Sequence, residues 1–365
     1  MNKKVYCKNV GFGVLFAALI ALLLFSGCQR KKDLSNGTEI EDTLNICIDP
    51  SYLSAEIVEP FEKEFNIHVN YDEVVTPDEM FAKIQSGVSG YDLIAPACEQ
   101  VREMIESNLL RKLDHAKIPN ITYINPRALE KATYDPNMEY AVPLGWGAAG
   151  VAVNTAKVPV FEKSWSIFSR KDLAGRMTML DDYHDPLSDA LMYLGYSANS
   201  RIPEQIEEAG ELVNTQWKPN LVRFDAETYT KGYATGDFWV VEGYLDAIYA
   251  EIANDPQLLK NTVMFLPKEG GLAFMDSFSI LSEAKHPNAA HAFINYMCRP
   301  EVYAKYLDWV SAPPATNTEA GKFMKNTPTY SVEELEAETT QLRLDLGEAR
   351  TLYTDIWFNK IHDGK

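Results

Sequence analysis

Apolar and polar positions change period repeatedly along the chain, and the changes lay out alternating strands and helices. LNICI (44–48) is of strand type, after which Leu53, Ile57, Phe61 and Phe65 recur every four residues on one helix face. IHVNY (67–71) predicts a second strand; a helix then opens at Pro77, with Thr76 as its N-cap, and stops at Gly87. YDLIAP (91–96) is a third strand, followed by a helix carrying Val101, Met104 and Ile105. The pattern restarts after residue 150 with VAVN, RMTML (176–180), a helix near 186–195 and another over 203–217. LVRF, FWVV (238–241), a helix over 244–254 and TVMFLP follow. A last helix near 346–362 carries Leu346, Ala349, Leu352, Ile356 and Phe358. Such alternation implies an α/β fold of mainly parallel sheets covered on both faces, and two successive units imply two lobes. Ligands of open parallel sheets bind at the carboxyl ends of strands, which points to the loops after Ile48, Pro96, Leu180 and Val241.

The amino-terminal segment follows a different logic. Lys3, Lys4 and Lys8 precede an uncharged apolar run over 10–25, then Ser26, Gly27 and Cys28. A spanning helix needs about 20 apolar residues, so the run is expected to be the core of a signal peptide spanning 1–27. LLLFSGC resembles the processing site of bacterial lipoproteins, which makes Cys28 the lipidated residue and 28–43 a polar tether. Phe25, three before the cysteine, departs from the commoner Leu, and a plain uncleaved anchor is the alternative. Cys47, Cys98 and Cys298 remain in the body; Cys298 closes an apolar helical pattern and is expected to be a small buried hydrophobe. Cys47 and Cys98 follow strands that could be neighbours, so a bridge between them stays open.

Composition narrows the function classes. The 365 residues are 46% hydrophobic and 24% charged, with formal net charge −18, which becomes −21 once the three leader lysines are removed. An acidic chain cannot release counterions from phosphates, so no nucleic-acid partner is expected, whereas soluble cations suit it. Residues 145–150, Gly-Trp-Gly-Ala-Ala-Gly, match a dinucleotide fingerprint literally, but strand-like VAVN follows where a helix would be required. The better reading is an extended crossing between lobes. No catalytic residue, metal site or cofactor is indicated: His286 and His291 are spaced off one helix face, and Asp181-Asp182 with Asp185 is most simply helix capping. A glycoside hydrolase could use such a carboxylate pair.

Over roughly 44–362 the sequence resembles the spermidine/putrescine-binding proteins of bacterial polyamine ABC importers. The matching stretches are FEKEFNIHVNYDEV, YDLIAP, PLGWGAAGVAVN, SWSIF, GRMTMLDD, LMYLGYS, PKEGGLAFMDSFSI, AFINYMCRPEVYAKY and APPATN. PKEGGLAFMDS together with the Trp-Gly crossing is the most specific part. The resemblance implies a two-lobe periplasmic-binding-protein fold of type II that closes on its ligand. It also implies chain crossings near Gly147, Asp276 and Ala320, hence lobe 1 at 44–146 and 276–320 and lobe 2 at 147–275 and 321–365. A polyamine needs carboxylates spaced to meet its ammonium groups and aromatic faces along its methylenes. The resemblance assigns these roles to Asp182, Asp185 and Asp276, to Tyr52, and to Phe274 where the family usually has Trp.

Five further positions depart from the family pattern. Asp49-Pro50-Ser51-Tyr52 gains an acid at Asp49 and lacks the family's Glu at Ser51. Glu99 stands where a tyrosine is usual, Glu242 where a Trp is usual, and Arg343 where a polar amide is usual. Cation binding with rearranged acids is expected, Arg343 being paired to one of them. The implied protein is a nonenzymatic, monomeric lipoprotein outside the cytoplasm, anchored through Cys28, that delivers putrescine or spermidine to permease subunits with a cytoplasmic ATPase. A receptor for another organic cation, a tethered sensor and a secreted carboxylate-pair hydrolase are the alternatives.

Overall fold

The computed structural model describes residues 40–49, 52–73, 77–87, 89–328 and 330–362. The expected signal segment, Cys28 and most of its tether, Ser51 and the Thr76 cap lie outside the described residues. Strand β1 (Thr43–Ile48) pairs in parallel with β2 (His68–Glu73) on one side and with β3 (Leu93–Ile94) on the other. The crossover from β1 to β2 is helix α1 (Ala55–Phe65), whose Ile57, Val58 and Phe61 are buried and which ends where Asn66 takes a left-handed conformation at φ 55°. YDLIAP contributes only two strand residues, because the chain turns into helix α2 (Cys98–Glu106) just beyond them.

Strand β4 (Ala141–Asn154) holds the two lobes together. All fourteen of its residues are buried. Its second half pairs antiparallel with β7 (Val240–Tyr244) and β8 (Thr262–Phe265), and its first half with β9 (Leu272–Ile280). Strands β5 (Met177–Met179) and β6 (Leu221–Phe224) extend the second half in parallel from β7. The sheet order is β2-β1-β3-β9-β4-β7-β5-β6, with the short strand β10 (Gln341–Leu342) parallel to β9 and β8 on β4. The glycine run therefore forms continuous strand through VAVN, as the absence of a following helix pattern required. Its glycines serve packing: a Cβ on Gly147 would stand 2.5 Å from Cζ of Phe274, and one on Gly150 2.8 Å from the Phe265 carbonyl oxygen.

The three largest buried clusters among the described residues follow this layout. One, around Leu44, Ile46, Phe61, Phe278 and Phe293, fills one face of the first lobe. Another, around Val153, Trp165, Phe168, Met177, Trp217 and Trp357, fills the second lobe. The third runs from Ile94, Val101 and Met104 through Ala148 and Met275 to Leu180, Phe238 and Leu245, and so continues across the junction. Cys298 is buried, and Cys47 and Cys98 are buried free thiols with no bridge between them.

Some elements differ from the periodicity. The expected helix over 203–217 is α-helical over Pro203–Leu212 and then widens into a π-turn over Val213–Trp217 that seats Trp217 against Phe168, with ring centroids 6.0 Å apart. The terminal helix likewise divides into Arg350–Ile356 and a π-turn over Trp357–His362. FWVV is strand only from Val240, and the strand continues to Tyr244, which places Glu242 inside β7 opposite Val151 rather than in the loop beyond it.

Candidate ligand-binding site

Arg343 stands at the centre of the junction. Its N–H donates to the Ala273 carbonyl of β9 at 2.7 Å, and the Cys98 thiol donates to its own carbonyl at 3.0 Å, so its backbone is fixed between β9 and the start of α2. The side chain, 16% exposed, meets three carboxylates: Nη1 donates to Asp185 Oδ2 at 3.0 Å, Nη2 to Asp182 Oδ1 at 3.0 Å, and Nε lies 3.6 Å from Glu99 Oε1. Burial alone would lower the guanidinium's pKa, but Asp185, Asp182 and Glu99 together raise it well above its ordinary value, so the group stays charged. The sequence suggested one acidic partner; the fold supplies three.

These acids come from chain segments that tertiary structure brings together. Glu99 lies in the first turn of α2. Asp182 follows β5, and its Oδ1 also accepts the N–H of His184 at 2.6 Å and of Asp185 at 3.2 Å, so the capping role and the contact with Arg343 coexist in one carboxylate. Asp185 is in the first turn of helix α3 (His184–Tyr193) and fully buried. Burial pushes its carboxyl up to about 7, against the pull of the Arg343 guanidinium and with a further upward push from Asp182.

A second acidic group adjoins the first. Asp276 of β9 lies opposite Gly145, and its Oδ2 accepts the Tyr52 hydroxyl. Burial pushes its carboxyl up to about 7; the Tyr52 hydrogen bond opposes this, and Glu99 and Asp49 add to it. Glu99 thus acts electrostatically on both groups. The Tyr52 ring packs edge-on against Tyr306 at 5.9 Å, and its N–H donates to the Asp49 carbonyl at 3.1 Å. Phe274 lies edge-on to Tyr244, 5.6 Å away, in space left by Gly147. Ser51 lies outside the described residues.

Glu242 has a different place. It is fully buried; Oε2 accepts the Leu180 N–H at 2.7 Å, while Oε1 has no hydrogen-bond partner. Burial, with the Asp185 charge adding to it, pushes its pKa well up. Asp189, buried with neither oxygen hydrogen-bonded, is pushed up in the same way by burial and by Glu242. Sequence reasoning missed Asp189. The signal was there: it follows Asp185 by four residues on one helix face, where two charged carboxylates would repel. Tyr244 and Tyr330 were also missed; the Tyr330 hydroxyl accepts the Ala148 N–H at 3.2 Å across β4.

The arrangement gathers carboxylates from one strand, one loop and two helix starts around a guanidinium and a tyrosine hydroxyl. Among the described residues no cluster of His, Cys, Asp and Glu is arranged to hold a metal ion, and no helix is long and apolar enough to cross a membrane. A cavity of about 490 Å³ opens elsewhere, lined in part by Lys131, Ser197, Arg201, Glu338, Gln341 and Asp345, and shares none of the acids that meet Arg343.

Comparison with known proteins bears on this geometry. A family model described as bacterial extracellular solute-binding protein matches residues 56–331. The spermidine/putrescine-binding periplasmic protein of Escherichia coli is 30% identical over 324 residues, 86% of this chain and 90% of its own. The putrescine-binding periplasmic protein SpuD of Pseudomonas aeruginosa is 31% identical over 278 residues, 72% of this chain and 75% of its own. Among solved structures, the Tp0655 (TpPotD) lipoprotein of Treponema pallidum matches with a TM-score of 0.84 at 39% identity, over 88% of this chain and 100% of that one.

Proposed function

The chain belongs to the bacterial extracellular solute-binding proteins, and from that premise we propose that it captures a polyamine, putrescine or spermidine, between its lobes and delivers it to an ABC importer. The observation that carries the ligand class is a desolvated nitrogen cation held by Glu99, Asp182 and Asp185 beside the Tyr52–Asp276 pair. Desolvating an ammonium costs several kcal/mol unless carboxylates and hydroxyls replace its water, and this junction has that equipment. The ligand set is Asp49, Ser51, Tyr52, Phe274 and Asp276, with Glu99, Asp182, Asp185, Glu242 and Arg343 shaping the charge around it. Catalysis by a carboxylate pair is disfavoured, because Arg343 sits between the carboxylates a hydrolase would need free for acid–base work.

We place lobe 1 at 44–146 and 276–320 and lobe 2 at 147–275 and 321–365. Ala320 is buried in the first-lobe cluster and Leu346 in the second, which supports a third passage between lobes in the segment joining them. Ligand ammonium groups would neutralise acids that repel one another at the junction and so favour the closed form. Cys28 is the proposed lipid anchor of a monomeric receptor outside the cytoplasm, partnered by permease subunits with a cytoplasmic ATPase. Isothermal titration of the full chain, stripped of carried-over ligand, with putrescine, spermidine and spermine tests this, arginine serving as control. Micromolar or tighter binding of one polyamine is expected; a folded protein that gives no heat with any of them overturns the ligand class.

A further inference from the structure

Every nitrogen of the Arg343 guanidinium is committed to a carboxylate, its backbone is tied to β9 and α2, and little of its side chain reaches solvent. That arrangement leaves no face for an anion, and three carboxylates around it would repel one. A cation entering among Glu99, Asp182 and Asp185 would in turn meet a like charge already hydrogen-bonded in its place. The Tyr52–Asp276 end has no such occupant: Asp276 takes a neutral hydroxyl, and no Lys or Arg is found on its carboxylate among the described residues. Asp276 lies three strand positions from Ala273, the residue that holds the Arg343 backbone, or roughly 10 Å along β9.

We infer that Arg343 is a resident cation that limits ligand length, filling the Glu99–Asp182–Asp185 end of the site so that ligand ammonium groups are confined to the Asp276 end. The inference rests on the polyamine reading above. It makes this chain a receptor for short diamines that discriminates against triamines, whose additional charged nitrogen has to approach the guanidinium. Discrimination of this kind is a difference of affinities produced by an unfavourable contact with the wrong ligand. The role belongs to charge held in a fixed position, not to the shape of the side chain.

Competition between putrescine and spermidine on the full chain provides the test, with wild type, Arg343→Gln and Arg343→Lys measured side by side. Wild type is expected to prefer the diamine. Arg343→Gln empties the occupied end, and spermidine should gain about tenfold relative to putrescine. Arg343→Lys keeps the charge and should keep the wild-type ratio. Should the bare acids of Arg343→Gln prevent folding, the double variant Glu99→Gln/Arg343→Gln carries the same comparison with one carboxylate fewer. An unchanged ratio in a folded Gln variant overturns the inference and leaves the polyamine reading intact. Tighter binding of γ-aminobutyrate than of putrescine would make Arg343 a carboxylate receptor and overturns both the inference and the polyamine reading. Wild type binding neither amine removes the polyamine reading and this inference with it.

Discussion

Asp185 and Asp276 are both pushed up to about 7, and of the two it is Asp276 that carries no guanidinium. A carboxylate, not a carboxylic acid, is needed to meet an ammonium. Affinity for a polyamine should therefore rise as pH increases through about 7, and titrations at about pH 6 and about pH 8 should show it. Asp276→Asn removes the charge while keeping the shape; we expect a loss of about tenfold or more in affinity, equivalent to at least about 1.4 kcal/mol, together with a weaker pH dependence. Stability runs the other way. The folded-state pKa of Asp276, and that of Asp246 at about 6, are raised above their unfolded values. Their contribution is present below the unfolded carboxylate range and is lost as pH rises through about 6 and 7. The ligand-free protein should thus lose melting temperature between about pH 5 and pH 8, and saturating polyamine should flatten that decline. Glu242→Gln, which copies a protonated carboxyl and keeps an acceptor for the Leu180 N–H, should change stability at pH 7 by under about 0.5 kcal/mol in a denaturant titration.

At the scale of elements, β4 and β9 fix the site and α1 supports the first-lobe sheet. Gly147→Ala would drive a Cβ into the Phe274 ring across the crossing strand. A packed site that must shift a ring loses about 1–3 kcal/mol, and here the ring that moves also packs on Tyr244, so ligand affinity should fall with the melting temperature. Phe61 of α1, fully buried against Phe65, Phe293 and Tyr296, has no part in the site. Phe61→Ala should cost about 3–5 kcal/mol in chemical denaturation, and protein that still folds should bind with wild-type affinity. Most of these elements were legible from periodicity: β1, α1 and the glycine-rich crossing declare themselves through apolar spacing and the pattern after the glycines. The π-turns at Val213–Trp217 and Trp357–His362 were not, because they share the helical period and differ only in how they seat Trp217 and Trp357 in a core formed by distant residues.

Across the whole molecule the acids of the site come from α2, the β5–α3 loop, β9 and the loop before α1, while the cation they surround comes from beyond β10. The sequence by itself determined the two-lobe α/β architecture, since hydrophobic period is a local property of the chain that declares strands, helices and their alternation. It also identified, through its motifs, which carboxylates deserved attention. Only the tertiary structure decided how those charges are disposed. Three carboxylates converge on Arg343 while Glu242 and Asp189 are sealed away from any cation with their pKa values raised, and whether an acid meets a cation, a backbone N–H or a second acid depends on segments up to 245 residues apart, as Cys98 and Arg343 are. Electrostatic energy is set by separation in space and by the exclusion of water, and neither is encoded in a spacing along the chain.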